Sequence, residues 1–509
     1  MVISAQPAIL WFWYFWQSFP GTDSLIFFIL FPFAFMIGML ILIISAILVA
    51  KAFLLVINVI HKPKEGVFLR DPSDKDYCYW SLRSVVKKWP AWLARQLNIP
   101  IFEILLFKLL GISIHKSSAV QEGWVDVEFV DMGRNVRLGQ GSLIMSSILI
   151  KDKLIIQKVT IQDNVVIGAH SVITPGTTIS EHTTLDSLSM TQLNQTLEPN
   201  AIYSGIPAKK VLRNDPIQDK SKLEEKIFKK VEKKEIDEEE LEGHDKGLSV
   251  PFHVYLFSGW AIIGGSFVVP GFLFIMYAFL FLIPDFLSTP LVLSRFLDPA
   301  TYFIMLTIPL AFIIIYLVHL VFVAFFTRLF YRYADRRGPA QGVFDRNLDE
   351  HSRTLDYYHW RSFLLKYPVF AFIRSPFPWL LGWELRFIGS NEVGKGTVFE
   401  ECYIHSHINP GENCYMGTFS HLSNHLVDGV YGEENLTFYG AEIGDDCVFN
   451  ALIGGLPGLE VGDEATFLPM SSTIKFDKLG DGGVYAGFPA RRLKPEELKK
   501  FTGGLLDDE

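Results

Sequence analysis

Cysteine is scarce: Cys78, Cys402, Cys414 and Cys447 are the only four in 509 residues. None forms a CxxC pair and none has zinc-ligand spacing, so no metal site is expected and the four read as reduced, partly buried residues. Lys and Arg are missing from the first 50 positions. That excludes the basic start of a signal peptide. A basic excess is missing from the whole chain. Net charge is −9, with acids concentrated in stretches such as Glu238 to Glu242, so no nucleic-acid partner is expected.

Apolar residues are what the chain has most of. Half of it is hydrophobic, 43 residues are Phe, and the mean hydropathy is positive. Leu25 to Ile60 carries no charge except Lys51. Phe252 to Ile283 and Tyr302 to Leu329 are two more such runs, joined by the short turn Pro284 to Ala300. Each exceeds the ~20 residues a spanning helix needs. Pro270 and Gly271 mark a kink that a spanning helix tolerates. The aromatic start "LWFWYFWQSFP" suits an interfacial anchor. Cations follow the first run (His61, Lys62, Lys64, Arg70) and the third (Arg328, Arg332, Arg336, Arg337). The turn between the second and third carries only Arg295. By the positive-inside rule both large polar regions face the cytoplasm. Membrane lipid is therefore an expected partner. Almost no charge lies inside the spans, which argues against an ion or proton path.

The chain is also a repeat. "GVFLRDPSDKDYCYWSLRSVVKKWP" from Gly66 and "GVFDRNLDEHSRTLDYYHWRSFLLKYP" from Gly342 each follow a span directly. Aromatic, Pro-broken stretches suited to the membrane surface come next, Ala91 to Gly111 and Val369 to Gly389. Then the period becomes six. Met132, Leu138, Ile144 and Ile150 keep the step, and Ile161, Ile167, Ile173, Ile179 and Leu185 resume it. In the second half the positions are Val398, Ile404, Pro410, Met416 and Leu422, then Ile443, Phe449, Gly455, Val461 and Phe467. A sustained step of six fits neither a helix nor a lone strand, but fits a parallel β-helix whose aliphatic positions stack inward. Small residues after them, as in "IGAHSVI", allow tight corners.

These hexads, the lead-ins "LLFKLLGISIHKSS" and "LLGWELRFIGSNEVGKG", and the closing phrases "YSGIPAKKV" and "YAGFPARRL" resemble the left-handed β-helix (hexapeptide-repeat) acyltransferase superfamily. Combined with spanning helices, they resemble the membrane-embedded carboxy-terminal region of nonribosomal peptide synthetase-like proteins of the ε-poly-lysine synthetase type. No adenylation or carrier domain accompanies them here. The fold class expected is therefore a membrane protein with tandem left-handed parallel β-helices joined by transmembrane and interfacial α-helices. The expected division is 1–65 aromatic segment and spanning helix, 66–112 interfacial, 113–213 first and degenerate β-helix, and 214–250 charged linker or helix. It continues with 251–338 transmembrane hairpin, 339–388 interfacial, 389–494 second and catalytic β-helix, and 495–509 tail.

Aligned by hexads, His421 falls on Leu143, His425 on Ser147 and Asp428 on Ile150. Both halves then interrupt their hexads, the second for longer, in "DGVYGEENLTFYGA". Loops that leave a regular scaffold commonly carry function. Acyl transfer from a thioester needs a base for the acceptor, and histidine suits that role near neutral pH. "NHLVDGV" resembles a histidine phrase of the synthetase-like family, which implies His425 as base. Asp428, Glu433 or Glu434 would orient it, with His421 as a second candidate. A regular stack would bring His407 and Asn413 onto the face of His425. The resemblance also implies that Gly487, Ala490, Arg491 and Arg492, with Lys209 and Lys210 in the first half, lie near the donor's arm and phosphates. The donor implied is acyl-CoA or a phosphopantetheine-linked carrier-protein thioester, without a metal. The acyl or aminoacyl group would pass to an amine or hydroxyl at the cytoplasmic membrane face. A homo-oligomer, or pairing of the two β-helices within one chain, would complete the cleft. The competing expectation is a non-catalytic membrane scaffold that docks a separate synthetase-like enzyme.

Overall fold

A computed structural model describes residues 1–19, 25–97, 99–120, 123–213, 251–345, 352–428 and 435–506. The stretch expected as a charged linker, 214–250, lies outside them, as do Glu433 and Glu434.

The uncharged runs are helices. α1 (Val2–Ser18) precedes α2 (Leu25–Ile60), and the interfacial stretch of the first half forms α3 (Lys75–Gln96) and α4 (Pro100–Leu110). In the second half come α5 (Phe252–Tyr277), continued by the π-helical segment Ala278–Leu287, then α6 (Pro299–Asp335). After these lie α7 (Arg353–Leu364), α8 (Lys366–Ile373) and α9 (Leu381–Ile388), and α10 (Pro495–Thr502) ends the chain. Among the described residues, three helices are long and apolar enough to cross a membrane: Leu25–Ile60, Phe252–Leu287 and Pro299–Asp335. The aromatic α1 packs against the second pair. Trp13 is buried with its ring 4.4 Å from that of Phe286, and its indole N–H donates to the Thr289 carbonyl at 2.9 Å. Asp74 caps α3 by accepting from the backbone of Asp76 and Tyr77. That helix runs through Pro90, and the break falls instead before Pro100, where proline suits a first helical turn.

The hexads fold as short parallel strands in three ladders per half. The usual offset between paired rungs is 18 residues, as in Ser113↔Asp131, Thr184↔Ile202 and Val448↔Thr466. Three faces of six residues account for that step. At one rung the offset jumps, to 29 for Val130↔Val159 and to 33 for Ile408↔Ala441. The extra residues are antiparallel hairpins, Ser147–Ile150 with Lys153–Ile156, and His425–Val427 with Asn435–Phe438. Each hairpin gains a third strand from the segment that follows a span: Gly66–Leu69 in the first half and Gly342–Asp345 in the second. The described strands of both interruptions are thus tied to the segments that follow the spans.

The aliphatic hexad residues form the interior, with Ile173, Ile179, Leu185, Phe449 and Phe467 fully enclosed. Two expected inward positions move. Val398 is exposed and Phe399 takes its place, because a tight turn (Cys402 N–H to the Glu400 carbonyl, 2.7 Å) shortens the next face by one residue. Ile150 is buried in the hairpin rather than on a ladder face. The corners differ as well. The left-handed conformation is taken by Asn164, His170, Leu188, Asp446 and Phe419, not only by glycine. Glycine is needed one step earlier, where rungs approach closely: a Cβ on Gly168 would lie 2.3 Å from the Ser187 nitrogen.

The halves are packed together. Leu143, Val172 and Met190 of the first half pack with Ala451, Leu468 and Val484 of the second. Asn450 donates to the Leu149 carbonyl at 2.9 Å. The tail expected after the second β-helix is α10, whose Phe501 joins this same cluster.

Candidate active site

Two adjacent rungs and one hairpin converge in the second half. Tyr403 pairs with His421 across one ladder, and His405 N–H donates to the Leu422 carbonyl at 3.1 Å. The chain then leaves the ladder, and His425 opens the hairpin opposite Phe438. Ser423 fixes that exit by donating from its hydroxyl to the His425 carbonyl at 2.8 Å. Three imidazoles meet as a result. The His405 ring lies 4.8 Å from that of His425 and 5.1 Å from that of His421. Tyr358 of α7 stands edge-on to His425 at 5.8 Å.

Hydrogen bonds assign the tautomer of His425. Asn424 is buried, and its Nδ2 donates to the Ser406 carbonyl at 2.8 Å and to Ser406 Oγ at 3.0 Å. Its Oδ1 therefore faces His425 Nδ1 at 3.0 Å and accepts the N–H there. In this tautomer Nε2 is the nitrogen without a proton. His405 Nε2 and His421 Nε2 are 3.1 Å apart, so one donates and the other accepts. That pair cannot hold two additional protons without losing its bond. Burial, then the neighbouring His425, His421 and Lys366 charges, hold His405 well below its ordinary 6.5, and burial lowers His421.

The pH consequence has a definite sign. Unfolded imidazoles take up protons near 6.5 while the folded pair resists. The stability this provides is complete above 6.5 and is lost as pH falls from there toward the folded values. Thermal stability should therefore decline between about pH 7 and 5, and less steeply in His405→Gln. Equal slopes in wild type and variant would remove His405 from the explanation.

Of the residues singled out from sequence, His421 and His425 both lie against His405. His405, not among those residues, joins them because a rung offset of 18 lays residue 403 on 421. Asp428 does not orient His425. It accepts from Lys475 Nζ at 3.0 Å, and Asn424 takes the orienting place. His407 and Asn413 do not share a column with His425. One face consumes six residues, so a step of six moves to the next face, and both are corner residues in the left-handed conformation. The residue above His407 is Gly440, where a Cβ would lie 2.3 Å from the His407 carbonyl oxygen.

The closing phrases have matching geometry, each with a cis peptide, Ile206–Pro207 and Phe488–Pro489. Arg491 and Arg492, like Lys209 and Lys210, lie on strands that fold back antiparallel on the last rung. Glu497 grips Arg491 with two bonds of 2.8 Å, and Lys210 pairs with Glu198. Gly487 and Ala490 bracket Ser472: its N–H donates to the Gly487 carbonyl at 3.0 Å and its carbonyl accepts from Ala490 at 2.7 Å.

Ser472 connects the two regions. His421 pairs with Gly454, and Gly454 bridges to Ser472, so one outward column runs His421, Gly454, Ser472, Gly487. At about 4.8 Å per rung the run is about 14 Å long. The same column of the first half is Leu143, Val172 and Met190, apolar and buried under the second half. In the second half it is polar or small and reaches solvent. A Cβ on Gly454 would stand 2.5 Å from Ser472 Oγ, so the column stays shallow only with glycine.

No protein-family model and no curated protein matches the chain. Solved structures do resemble part of it. A maltose O-acetyltransferase from Clostridium difficile 630 matches at 18% identity over 26% of this chain and 89% of that one, with a TM-score of 0.21. A hexapeptide-repeat acetyltransferase from Vibrio cholerae, complexed with acetyl coenzyme A, matches at 20% over 29% and 93%, with a TM-score of 0.22. A galactoside acetyltransferase in complex with coenzyme A matches at 16% over 23% and 71%, with a TM-score of 0.19.

Proposed function

We propose that the chain is an integral-membrane acyltransferase built on tandem left-handed β-helices, with chemistry in the second. The observation that carries this reading is the outward column that joins the histidine cluster to the closing turn. The acyl or aminoacyl donor, on CoA or on a carrier protein's phosphopantetheine, lies along Gly454 and Ser472 with its thioester at His425. Arg492 meets the donor's phosphates, with Arg491 restrained by Glu497. Lys209 and Lys210 occupy the same place on the first half. His425 Nε2 takes a proton from the acceptor's amine or hydroxyl. The acceptor atom bonds to the thioester carbonyl carbon, the C–S bond breaks, and the leaving thiolate recovers the proton from His425.

The acceptor approaches from the membrane face. α7, which carries Tyr358 beside His425, is fastened to the spanning hairpin. Trp360 donates to Ser258 Oγ at 2.9 Å, and Arg361 pairs with Asp335 at 2.7 Å. The cations that follow the spans support a cytoplasmic placement of this face by the positive-inside rule.

Ser472→Phe tests the donor path, because its side chain would cover the column without touching a histidine. In reconstituted protein the KM for acyl-CoA should rise at least about tenfold, some 1.4 kcal/mol of donor binding. An unchanged KM in a variant that melts like wild type would place the donor elsewhere. Failure of the wild type to transfer from, or be stabilised by, acyl-CoA, pantetheine or a carrier-protein thioester would sink the enzyme reading itself.

A further inference from the structure

A cleft lies on the first half, at the positions that match the histidine cluster. Trp124 pairs with Leu143 as Tyr403 pairs with His421. The equivalents of His405, Asn424 and His425 are Asp126, Ser146 and Ser147. They line a cleft of about 830 Å³ whose far wall is the second half, including Glu400, Tyr415 and Asn450. Its lining residues include no histidine.

The electrostatics of this cleft single out one atom. The other charged residues of its wall are paired: Lys87 with Glu128 at 2.7 Å, Lys88 with Glu400 at 3.2 Å, Arg95 with Glu103 at 3.5 Å and Arg374 with Glu401 at 2.7 Å. Among the described residues Asp126 has no ion pair. Its Oδ2 accepts from Ser146 N at 2.9 Å, Ser146 Oγ at 3.3 Å, Ser147 N at 3.2 Å and Ser147 Oγ at 3.2 Å. None of these bonds goes to Oδ1. Lys87 is the nearby cation, and its ammonium is held by Glu128 and the Val127 carbonyl. Four donors hold the carboxylate by one oxygen and leave Oδ1 without a hydrogen bond among the described residues, on a side chain that lines the cleft. Trp80, Trp92 and Trp124 line it too. Arg95 already stacks over the Trp124 ring at 4.6 Å, which leaves Trp80 and Trp92 as the aromatic wall. A fixed carboxylate in such a cleft suits a small organic cation with N–H donors, through a charge-assisted hydrogen bond and cation–π attraction.

We propose that this cleft is a second ligand site, specific for a primary ammonium compound held by Asp126 Oδ1. It stands apart from the acyl-transfer reading, since none of its residues belongs to the histidine column. The first half is then a ligand-binding half rather than a degenerate copy.

The test uses the full chain in detergent, titrated with n-butylammonium and, as neutral control, n-butanol. Tryptophan fluorescence reports binding, because three tryptophans line the cleft. Saturable binding of the ammonium is expected in wild type and in His425→Ala, with none for the alcohol. Asp126→Asn should weaken it at least tenfold. Burial raises the Asp126 carboxyl above its ordinary range against the pull of its serine bonds, so acidification should also weaken binding. If Asp126→Asn does not fold, Ser84→Trp, on the α3 wall, fills the cleft while sparing Asp126. Absence of saturation in wild type, equal binding of the alcohol, or unchanged affinity in either folded variant would overturn the site.

Discussion

His425→Ala is expected to lower the turnover of acyl transfer by about 10²–10⁴-fold, the usual contribution of a positioned general base, while KM for the donor stays near wild type. The reasoning is geometric. His425 Nδ1–H is committed to Asn424 Oδ1, so Nε2 is the nitrogen that accepts a proton. The donor column begins at His421, not at His425, so truncation at 425 removes the proton acceptor and leaves the column intact. Asn424→Ala separates orientation from chemistry. It frees the imidazole to adopt the other tautomer and leaves Ser406 without its amide donor. Its turnover should fall by less than that of His425→Ala, and the double variant should be no slower than His425→Ala alone, because residues acting as one unit are not additive. Full-rate transfer by His425→Ala, with an unchanged melting profile, would remove it from the chemistry.

Much of this architecture was legible in the sequence because it rests on periodicity. A step of six repeated over whole segments leaves few alternatives, and the uncharged runs leave none but helices. The phase of the hexads was also enough to set His425 against Ser147 and His421 against Leu143. What sequence could not supply was the rung offset across the interruptions. The expectation that His407, Asn413 and His425 share a face treated each six-residue face as a full turn of the ladder. With three faces per rung the partner of residue 403 is 421, which is how His405 enters the cluster. Asn424 was overlooked for a related reason. A carboxylate is the expected orienting group for a base, and Asp428 was nearby in sequence. The hairpin instead carries Asp428 toward Lys475, and the amide already at the exit point takes the bond. The cleft could not be read at all, since it forms where Glu400 and Asn450 of one half close over Asp126 of the other.

Glu128→Gln is expected to have the largest effect on stability, about 3–5 kcal/mol, the usual result of removing one partner from a buried ionic cluster. Glu128 is the shared carboxylate of two enclosed cations. Arg83 reaches it at 2.8 Å and Lys87 at 2.7 Å, and their side chains are only 2% and 5% exposed. Neutralising Glu128 leaves Arg83 without its carboxylate partner and Lys87 with only the weaker attraction of Asp126. The two then differ, because Lys87 can shed its proton and Arg83 cannot. Burial already lowers the Lys87 pKa from 10.5, against the pull of Glu128, and losing that carboxylate lowers it further. A base whose folded pKa is depressed penalises folding at low pH, and the penalty is relieved as pH rises from the folded value toward 10.5. The gap in stability between wild type and Glu128→Gln should therefore narrow as pH is raised. It should not close, since Arg83 stays charged. Adding Lys87→Met should recover part of the loss at neutral pH and flatten the pH dependence of what remains. Thermal unfolding followed by the fluorescence of Trp80 and Trp124 reads this half of the chain. A gap that is independent of pH would show that Lys87 keeps its proton without Glu128, and that Arg83 alone carries the cost.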